Sequence, residues 1–581
     1  MMRYAYTHIA TEATTGYFAC EPEPALSLAE ALTYLARRPL DEFMRRHCIR
    51  RMLAMSAAEC RAALEKASGR EPPSALISLA RELALLDPSL RDALDRLASQ
   101  PLDEEPSTAL VYLKAALLPD GDAQRQWGRV FTANIQAHRA LQTPESLGLA
   151  PLYEEDCRTP PGLPLPPGLT PAFLREFGPE LALVHAEHRQ RLPENLTPHA
   201  RPPAEETAAL AEERLSALDI IAGREMRHTA SLSPVSLLRP WTMRLSVRNG
   251  RHDFSLEGQA TTYGRGLSLP NARASCLMEM VERASVYLSV DGDRVLDRPG
   301  DRRLVYSPYS RMPQERGPAV DPNDFPLEAP YLDEPLHWMA GHDAAAGLIY
   351  VPAQLAGLFS NLDEIALMDA HGSTGIAAGN SMEEAKIAAL LEIIERDAEA
   401  TTPFGKSSCF TLEADDDPAL GPLLREYKAR GVNVQFQDLA GPLGVPVFQC
   451  FVMSPKGAIA RGCGASLSAS RALLSALTET PYPYLDAGPS GPLLRKLPSR
   501  SYKDLPDFSL PTPRTNLALL EDILIRSGRP PVYVDLTRAG LDFPVVRALV
   551  PGLELTADRD AFSRVPFRLY ARYCRISRHD N

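Results

Sequence analysis

Residues 275–283 read SCLMEMVER and residues 380–396 read NSMEEAKIAALLEIIER, and both segments combine helical spacing with an unusual number of glutamates. At about 100° per residue, each segment places polar groups on one helix face, within an arc of about 60° in the first and about 80° in the second. These groups are Ser275, Glu279 and Glu282 in the first helix and Glu384, Glu392 and Glu395 in the second. Most other positions are Ala, Ile, Leu, Met or Val, which predicts that both helices are largely buried. The carboxylates are therefore predicted to be buried too.

Buried glutamates need compensation, because an isolated ionised carboxylate taken out of water costs many kcal/mol unless it is paired, protonated or bound to a metal. The adjacent Arg283 and Arg396 allow one interpretation, a buried ion-pair network in a structural protein. The five inward glutamates, however, outnumber these two arginines. Mg²⁺ takes hard oxygen ligands and is often shared with nucleotide phosphates, so a magnesium–nucleotide site is the interpretation that the residues favour.

A glycine-rich stretch precedes each helix, TYGRG at 262–266 and GSTGIAAG at 372–379. Such backbone approaches a phosphate closely and exposes its amides to it. Asn380 with Glu383 also fits an ordinary capping box, a role that is compatible with ligand contact. The sequence has no P-loop, no dinucleotide-binding glycine motif and no kinase motif set, so an ATP site here has to be of a different kind.

The composition excludes several classes of protein. With 45% hydrophobic and 23% charged residues, the 581-residue chain has a globular composition and is long enough for at least two domains. The net charge of −12 disfavours binding to nucleic acid or to an anionic membrane, and no apolar stretch reaches the roughly 20 residues of a membrane span. The N-terminus lacks the features of a signal peptide, so we expect a cytoplasmic protein with nine reduced cysteines.

Proline-rich segments indicate the domain boundaries. Residues 158–171 read RTPPGLPLPPGLTP, and a second break follows at 192–203. Before them, apolar residues recur at helical spacing over 25–36, 42–67, 74–97 and 109–141. After about residue 237, strand-like runs alternate with long helices. The predicted fold is α+β: an all-helical N-terminal domain (1–157) for packing or for recruiting a partner or substrate, a proline-rich linker with connecting helices (158–234) and a domain of mixed sheets and helices (235–581).

Taken together, these segments resemble the YcaO-domain family. The pattern Gly-Arg-Gly-x5-Ala-x-Ala-Ser-x3-Glu-x2-Glu-Arg at 264–283 is similar to the first ATP-site motif of the family, and Asn-x3-Glu-x7-Glu-x2-Glu-Arg at 380–396 to the second. Residues 535–538 (DLTR) and 545–554 (VVRALVPGLE) resemble its C-terminal strands, and the resemblance covers roughly 235–565. It implies an enzyme in which ATP and Mg²⁺ lie between these helices and the oxygen of a peptide backbone amide is phosphorylated. Family members go on to form azolines or thioamides, and one branch is linked to ribosomal methylthiolation.

The resemblance also implies a role for each residue that matches a motif. The implied magnesium ligands are Glu279, Glu282, Glu384, Glu392 and Glu395. The implied contacts to phosphates or nucleotide are Arg265, Ser275, Arg283, Asn380 and Arg396, and the implied catalytic residues are Glu282, Glu395 and Glu479.

This sequence departs from the family in its third site element, which usually reads Arg-x3-Glu-x2-Gln. Here Ser475 and Tyr482 flank the retained Glu479, and Arg471, one turn earlier, is a candidate to replace the lost charge. The cation between the early glycines is Arg265 in place of the common lysine.

The proline-rich C-terminus of many azoline-forming members is also missing, and the helical N-terminal region is unlike their fused partner domain. We therefore expect thioamide formation or a related modification of a peptide or protein, in place of a cyclodehydratase-like azoline synthesis. The expected partners are the substrate, a sulfur-delivery or leader-binding protein and a second copy in a homodimer. The alternative is an ATP-binding accessory or scaffold protein with little turnover, such as a methylthiolation accessory factor.

Overall fold

The structure is a computed structural model that describes residues 1–9, 17–101, 110–140, 181–193, 201–369, 372–405, 408–486, 488–494, 496–556 and 562–572. The proline-rich segment 158–171, Cys157 and Cys574 lie outside these ranges. The α+β fold class with early helices is confirmed. The other seven cysteines are buried, and none of them is in a disulfide bond within the described residues. Within the described residues, no helix combines the length and the apolar character that crossing a membrane requires.

The described residues contain helices along their whole length. The helices are α1 (Leu28–Arg37), α2 (Glu42–Leu53), α3 (Ala57–Ser68), α4 (Ser74–Leu86), α5 (Arg91–Ala98), α6 (Leu110–Leu117), α7 (Gly121–Ala140), α8 (Leu181–Gln190), α9 (Ala204–Ala217), α10 (Leu269–Val286), α11 (Met312–Glu315), α12 (Ala353–Ala356), α13 (Met382–Thr401), α14 (Leu420–Ala429), α15 (Ala469–Glu479) and α16 (Pro513–Arg526).

The strands of the described residues form three sheets. In chain order they are β1 (Met2–Ile9), β2 (Tyr17–Pro22), β3 (Met226–Arg227), β4 (Val235–Arg248), β5 (Phe254–Gly266), β6 (Val290–Asp291), β7 (Arg294–Val295), β8 (Arg302–Arg303), β9 (Val305–Ser307), β10 (Leu336–Asp343), β11 (Leu348–Pro352), β12 (Ile376–Ala378), β13 (Cys409–Glu413), β14 (Gln435–Asp438), β15 (Val447–Met453), β16 (Ile459–Ala465), β17 (Ser499–Ser501), β18 (Val532–Asp535) and β19 (Val545–Leu549). The sheet orders are β2-β1-β5-β4-β6-β7-β8 with β3 beside β4, β11-β10-β18-β19-β12 with β9 beside β10, and β16-β15-β14-β13-β17.

The N-terminal region has the predicted helices but also two strands that we did not predict. Strand β1 pairs in parallel with β5, with Met2 opposite Phe254, and β2 lies at the edge of the same sheet. One hydrophobic core joins this sheet to helices α1 to α5. Three of the four predicted helical runs are each divided into two helices, because Ser56 caps α3, Pro88 precedes α5 and Gly121 begins α7.

The end of the described chain packs against the N-terminal helices and against α13. Trp127 on α7 contacts the ring of Tyr570 edge-on, with 4.7 Å between the ring centroids. Arg568 donates to both carboxylate oxygens of Asp397 on α13, at 2.6 and 2.5 Å. Asp397 is buried and Arg568 is only 12% exposed in its side chain, so the interaction holds the last turns of α13 in place.

Each sheet contains one strand that leads directly into a long helix, and we call these pairs unit 1 (β5–α10), unit 2 (β12–α13) and unit 3 (β16–α15). Their helices begin after the N-cap residues Ser268, Ser381 and Ser468. Each helix also packs on a strand of another unit: α10 on β12, α13 on β16 and α15 on β5. The three helices therefore surround a common centre.

The close approach of strand and helix in units 1 and 3 requires glycine. A Cβ on Gly264 would lie 2.1 Å from the carbonyl oxygen of Ala272, and a Cβ on Gly464 would lie 2.4 Å from that of Ala472. Both distances are well inside van der Waals contact, so any side chain would push the helix away from its strand. Gly264, one of the glycines that suggested phosphate contact, thus has a packing role, and Gly464 has the same role in unit 3.

Candidate functional site

The three units place glutamates at equivalent positions of their helices. Eleven residues after each N-cap stand Glu279, Glu392 and Glu479. Fourteen residues after the N-cap stand Glu282 in unit 1 and Glu395 in unit 2, each followed by an arginine. A common spacing from a common cap gives a common orientation, so these carboxylates all face the centre between the helices.

In unit 1, two glutamates share one arginine. Arg283 Nε lies 3.8 Å from Glu279 Oε1 and 3.7 Å from Glu282 Oε1, and Glu279 also accepts a 2.9 Å hydrogen bond from the Tyr263 amide. Burial raises the pKa of Glu282 to about 8 against the opposing charge of Arg283, and the nearby carboxylate of Glu392 adds to the rise. Burial raises the pKa of Glu279 as well.

In unit 2, Glu392 accepts a 3.1 Å hydrogen bond from the Gly375 amide, and burial raises its pKa. Burial, and next to it the carboxylate of Glu479, raise the pKa of Glu395 to about 8. Arg396 Nη2 lies 3.9 Å from Glu395 Oε1. The glutamates of different units therefore interact electrostatically, as expected for side chains that meet at one site.

Two further charged residues near Arg396, Glu399 and Arg461, were not predicted from the sequence. Arg396 Nη1 donates to Glu399 Oε2 at 3.1 Å, and Arg461 Nη2 on β16 lies 3.7 Å from Glu399 Oε1. Glu399 is one helical turn after Glu395, so the spacing that identified the other glutamates could have identified it.

A third missed residue is Arg547, in the buried interior of β19. Its Nη1 donates to the Gly372 carbonyl at 2.9 Å, while its Nε has no hydrogen-bond partner within the described residues. Burial lowers the pKa of Arg547 to about 10, against the charges of Glu392 and Glu282. The sequence did contain a signal for this residue, because an arginine within the apolar run VVRALV is expected to be buried and therefore to need anionic partners.

Unit 3 differs from the other two. Its helix ends at Glu479, because Pro481 follows. The side chain of Tyr482 packs in a separate hydrophobic core, and its hydroxyl lies 3.4 Å from the Gly488 carbonyl. Arg471 is exposed, and the cation next to Glu479 is Arg265 of unit 1, with Nη1 3.4 Å from Glu479 Oε1. The suggestion that Arg471 replaces the missing charge is therefore wrong, and Arg265 has that position.

Asn380 and Glu384 form a separate group at the N-terminal end of α13. Glu384 Oε2 accepts hydrogen bonds from the backbone amide of Asn380 at 3.2 Å and from its side-chain Nδ2 at 3.4 Å, and Oε1 lies 3.5 Å from Arg201 Nε. Glu384 is eight residues before Glu392, about 12 Å along the helix axis. The capping box suggested for Asn380 and Glu383 is wrong, because Ser381 is the N-cap. Ser275 is exposed on α10, one turn before Glu279.

The site holds more positive charge than the sequence argument assumed. Its acidic residues are Glu279, Glu282, Glu392, Glu395, Glu399 and Glu479, and its arginines are Arg265, Arg283, Arg396, Arg461 and Arg547. The excess of carboxylates is therefore one, apart from the separate Glu384. Several of these contacts are 3.7 to 3.9 Å long, which is too long for a hydrogen bond.

The donor set fits a magnesium–nucleotide complex. Within the described residues, no three acidic, histidine or cysteine side chains already surround one point as metal ligands. However, Glu282 and Glu395 have raised pKa values, so a cation nearby would stabilise their ionised forms. Buried nitrogens of Arg265 and Arg547 also make no hydrogen bond within the described residues, and phosphate oxygens are acceptors that would satisfy them.

Comparison with known proteins identifies the same region. Residues 263–554 match the family model described as YcaO cyclodehydratase, ATP- and Mg²⁺-binding. Among curated relatives, an uncharacterized protein of Methanothermobacter thermautotrophicus is 27% identical over 334 residues, which is 52% of this chain and 83% of the relative. An uncharacterized protein in the tfuA 3′ region of Rhizobium leguminosarum bv. trifolii is 28% identical over 37% of this chain and 53% of its own length.

Two solved structures are also similar. A heterocyclase in complex with substrate and cofactor has a TM-score of 0.49 and 18% identity, over 66% of this chain and 58% of that one. YcaO from Methanopyrus kandleri bound with AMPPCP and Mg²⁺ has a TM-score of 0.43 and 23% identity, over 60% of this chain and 91% of that one. The region of the family match contains α10, α13 and α15 with their glutamates.

Proposed function

Because this chain belongs to the YcaO family, we propose that it uses ATP and Mg²⁺ to activate a backbone amide of a peptide or protein, for thioamide formation or a related modification. The observation that carries the proposal is the meeting of glutamates from three strand–helix units, from the buried Glu395 to the partly exposed Glu279 and Glu479, around arginines whose donors are not all used within the described residues. A structural ion-pair network would satisfy those donors, whereas a phosphate-binding site has to keep them available.

We assign the residues of this chain to two tasks in binding. Glu279, Glu282, Glu392 and Glu395 would hold magnesium, with Glu384 at the far end of the same helix. Arg265, Arg283, Arg396 and Arg547 would bind phosphate oxygens, and Ser275 and Asn380 would contact the nucleotide or its phosphates. Bound Mg²⁺ would neutralise charge on the phosphoryl group as it is transferred.

The reaction that we propose balances without a further oxidant or reductant. The amide oxygen attacks the γ-phosphorus of ATP, ADP leaves, and loss of the amide N–H proton gives an O-phosphorylated imidate. Hydrosulfide then adds to the imidate carbon, its proton passes to the nitrogen and inorganic phosphate leaves, which yields a thioamide. The carbonyl oxygen is a poor leaving group until it is phosphorylated, so phosphorylation has to precede the loss of that oxygen.

Binding of a nonhydrolysable ATP analogue with Mg²⁺ tests the proposal by isothermal titration. We expect micromolar binding to the wild type and loss of binding in Glu282→Ala. The matched control is Glu426→Ala, which removes a glutamate from an exposed ion pair with Arg430 on α14. A wild type that does not bind the analogue would contradict the proposal.

A second candidate, an accessory or scaffold protein that binds ATP with little turnover, is favoured by one observation. Unit 3 has lost two of its three motif positions, since Ser475 replaces the arginine and Tyr482 lies in a hydrophobic core. Phosphate release in the presence of peptide substrates encoded near this protein distinguishes the two candidates. The enzyme releases ADP and phosphate with the correct substrate, whereas the scaffold binds nucleotide and releases neither.

A further inference from the structure

The connecting helix α9 contacts the proposed nucleotide site, although it precedes the family-matched region 263–554. We infer that Thr207 on α9 is a positioning residue that orients the side chain of Asn380 for nucleotide binding. The inference rests on the proposed function and adds to it a residue from outside the family domain.

The contact itself is a partly buried hydrogen bond between two neutral groups. Thr207 Oγ1 donates to Asn380 Oδ1 at 3.1 Å, and the Thr207 residue is 7% exposed. A threonine within a helix often donates its hydroxyl to the carbonyl four residues before it. Because a hydroxyl has only one hydrogen, the bond to Asn380 uses the donor that would otherwise serve the helix of Thr207.

Two hydrogen bonds restrain the amide of Asn380. Glu384 Oε2 accepts from Nδ2 at 3.4 Å, and because an ionised carboxylate can only accept, this contact sets which end of the amide is the nitrogen. The Thr207 hydroxyl can donate or accept, and here it donates to the other end, Oδ1. Removing the hydroxyl would leave the 3.4 Å contact to Glu384 without this second restraint. Thr207 therefore limits the rotation of the Asn380 side chain and keeps its donor at the predicted magnesium ligand.

The packing of helix α9 holds Thr207 in a fixed position beside Asn380. It packs along α10 of unit 1 with Ala208, Ala211 and Leu215 buried. Arg214 donates to the Leu541 carbonyl at 2.7 Å, in the loop that joins β18 to β19. Since β19 pairs with β12, the helix is attached to both unit 1 and unit 2, and Thr207 cannot move away from Asn380 without disturbing these contacts.

The test compares two substitutions of the same residue. Thr207→Ser keeps the hydroxyl, whereas Thr207→Val keeps the branched shape and removes it. By titration with a nonhydrolysable ATP analogue and Mg²⁺, we expect Thr207→Ser to bind within about twofold of wild type and Thr207→Val to bind about threefold to tenfold more weakly, the effect of one neutral hydrogen bond. The matched control is Ser216→Ala, which removes an exposed hydroxyl from the same helix and should change nothing.

A double-mutant cycle separates positioning from general stability. In an Asn380→Ala background, Thr207→Val should have no further effect on nucleotide affinity, because the group that it orients is gone. Additive effects, or unchanged affinity in Thr207→Val alone, would overturn the inference while leaving the proposed function intact. A wild type that does not bind the analogue would overturn both.

Discussion

Unit 3 has the same strand–cap–helix arrangement as units 1 and 2, but it differs from them in the charged side chains that it brings to the centre. Units 1 and 2 each provide two glutamates at equivalent helix positions and an arginine after them, with Glu399 in addition in unit 2, and burial raises the pKa values of Glu282 and Glu395 to about 8. The helix of unit 3 provides Glu479 alone, and the cation beside it is Arg265 of unit 1, since Arg461 on β16 pairs with Glu399 of unit 2. The helix of unit 3 thus lacks an arginine beside its glutamate, and Arg265 of unit 1 supplies that cation.

The difference shows how a repeated element becomes specialised. Gly264 and Gly464 keep the same close strand–helix packing in units 1 and 3, so the framework is retained where the charges are lost. Pro481 ends α15 directly after Glu479 and directs the chain into a separate core. We expect binding of magnesium and phosphate to depend mainly on units 1 and 2, with unit 3 as an adjustable side of the site.

The largest expected effect comes from removing a glutamate of a complete unit. Glu395→Ala should weaken binding of Mg²⁺ with a nonhydrolysable ATP analogue by about a hundredfold or more, because it removes a predicted ligand from the metal. Glu479→Ala should cost less, about tenfold, since unit 3 is incomplete. Isothermal titration of both variants measures the ratio, and equal losses would contradict the proposed division between the units.

The pH dependence of binding should be the next largest effect. Below their pKa values of about 8, Glu282 and Glu395 hold protons that a metal has to displace, so affinity should rise between pH 6 and 8, by up to about tenfold per pH unit for each proton displaced, and then level off. Glu282→Gln should flatten this profile. Glu479→Gln should shift it to lower pH, because the charge of Glu479 raises the pKa of Glu395.

Glu282 and Glu395 should also make the stability of the ligand-free protein depend on pH. Their folded-state pKa values lie above the ordinary value of 4.5, so the folded protein binds more protons than the unfolded chain between about pH 4.5 and 8. Stability should therefore fall as pH rises through this range, as far as these groups determine it. Thermal melting of wild type against the Glu282→Gln, Glu395→Gln double variant isolates their contribution, and identical pH profiles would argue against the raised pKa values.

A smaller effect is expected from the cation shared between units 1 and 3. Arg265→Ala should weaken nucleotide binding by about tenfold, and Arg265→Lys by less, because lysine keeps the charge but not the planar donor geometry. The matched control is Arg471→Ala, which removes an exposed arginine from unit 3 and should leave affinity unchanged. The reverse result, with Arg471 important and Arg265 not, would restore the suggestion made from the sequence.

The smallest effect should be a gain in Mg²⁺ affinity when Arg201 is removed from its position beside Glu384 at the start of α13. Arg201 is 72% exposed in its side chain and lies 3.5 Å from Glu384, so it competes only weakly with a metal ion for that carboxylate. Arg201→Ala should therefore raise the apparent affinity for Mg²⁺ by about twofold or less, measured at fixed concentration of the ATP analogue. A clear loss of affinity would mean that Arg201 takes part in binding.

Much of the candidate site could be predicted from spacing along single helices. Glu279, Glu282, Glu392 and Glu395 each follow a helix N-cap at fixed intervals, and helical geometry is local enough to be derived from the chain alone. Arg461 and Arg547 could not be found in this way, because each lies on a strand far from these helices in the sequence. Their roles depend on which strands the sheets bring beside α10 and α13.

Two features of the fold escaped prediction for the same reason. Strand β1 is stabilised by pairing with β5, about 250 residues later, and this partner is not visible in the local pattern. The resemblance of unit 3 to the other units was also hidden, because Tyr482 stands where a third glutamate would complete the pattern.

The order of residues along the chain was sufficient to predict the α+β class, from helical spacing in one part and strand-like runs in the other, and the two glutamate-bearing helices. The cost of burying charge on those helices then led to the proposal of a site for magnesium and phosphate. Tertiary structure alone decided which cations meet those glutamates, that Arg265 serves unit 3 and that Thr207 meets Asn380. Electrostatic and hydrogen-bond energies depend on distances of a few ångströms between residues far apart in sequence, and only the packing of the three sheets determines those distances.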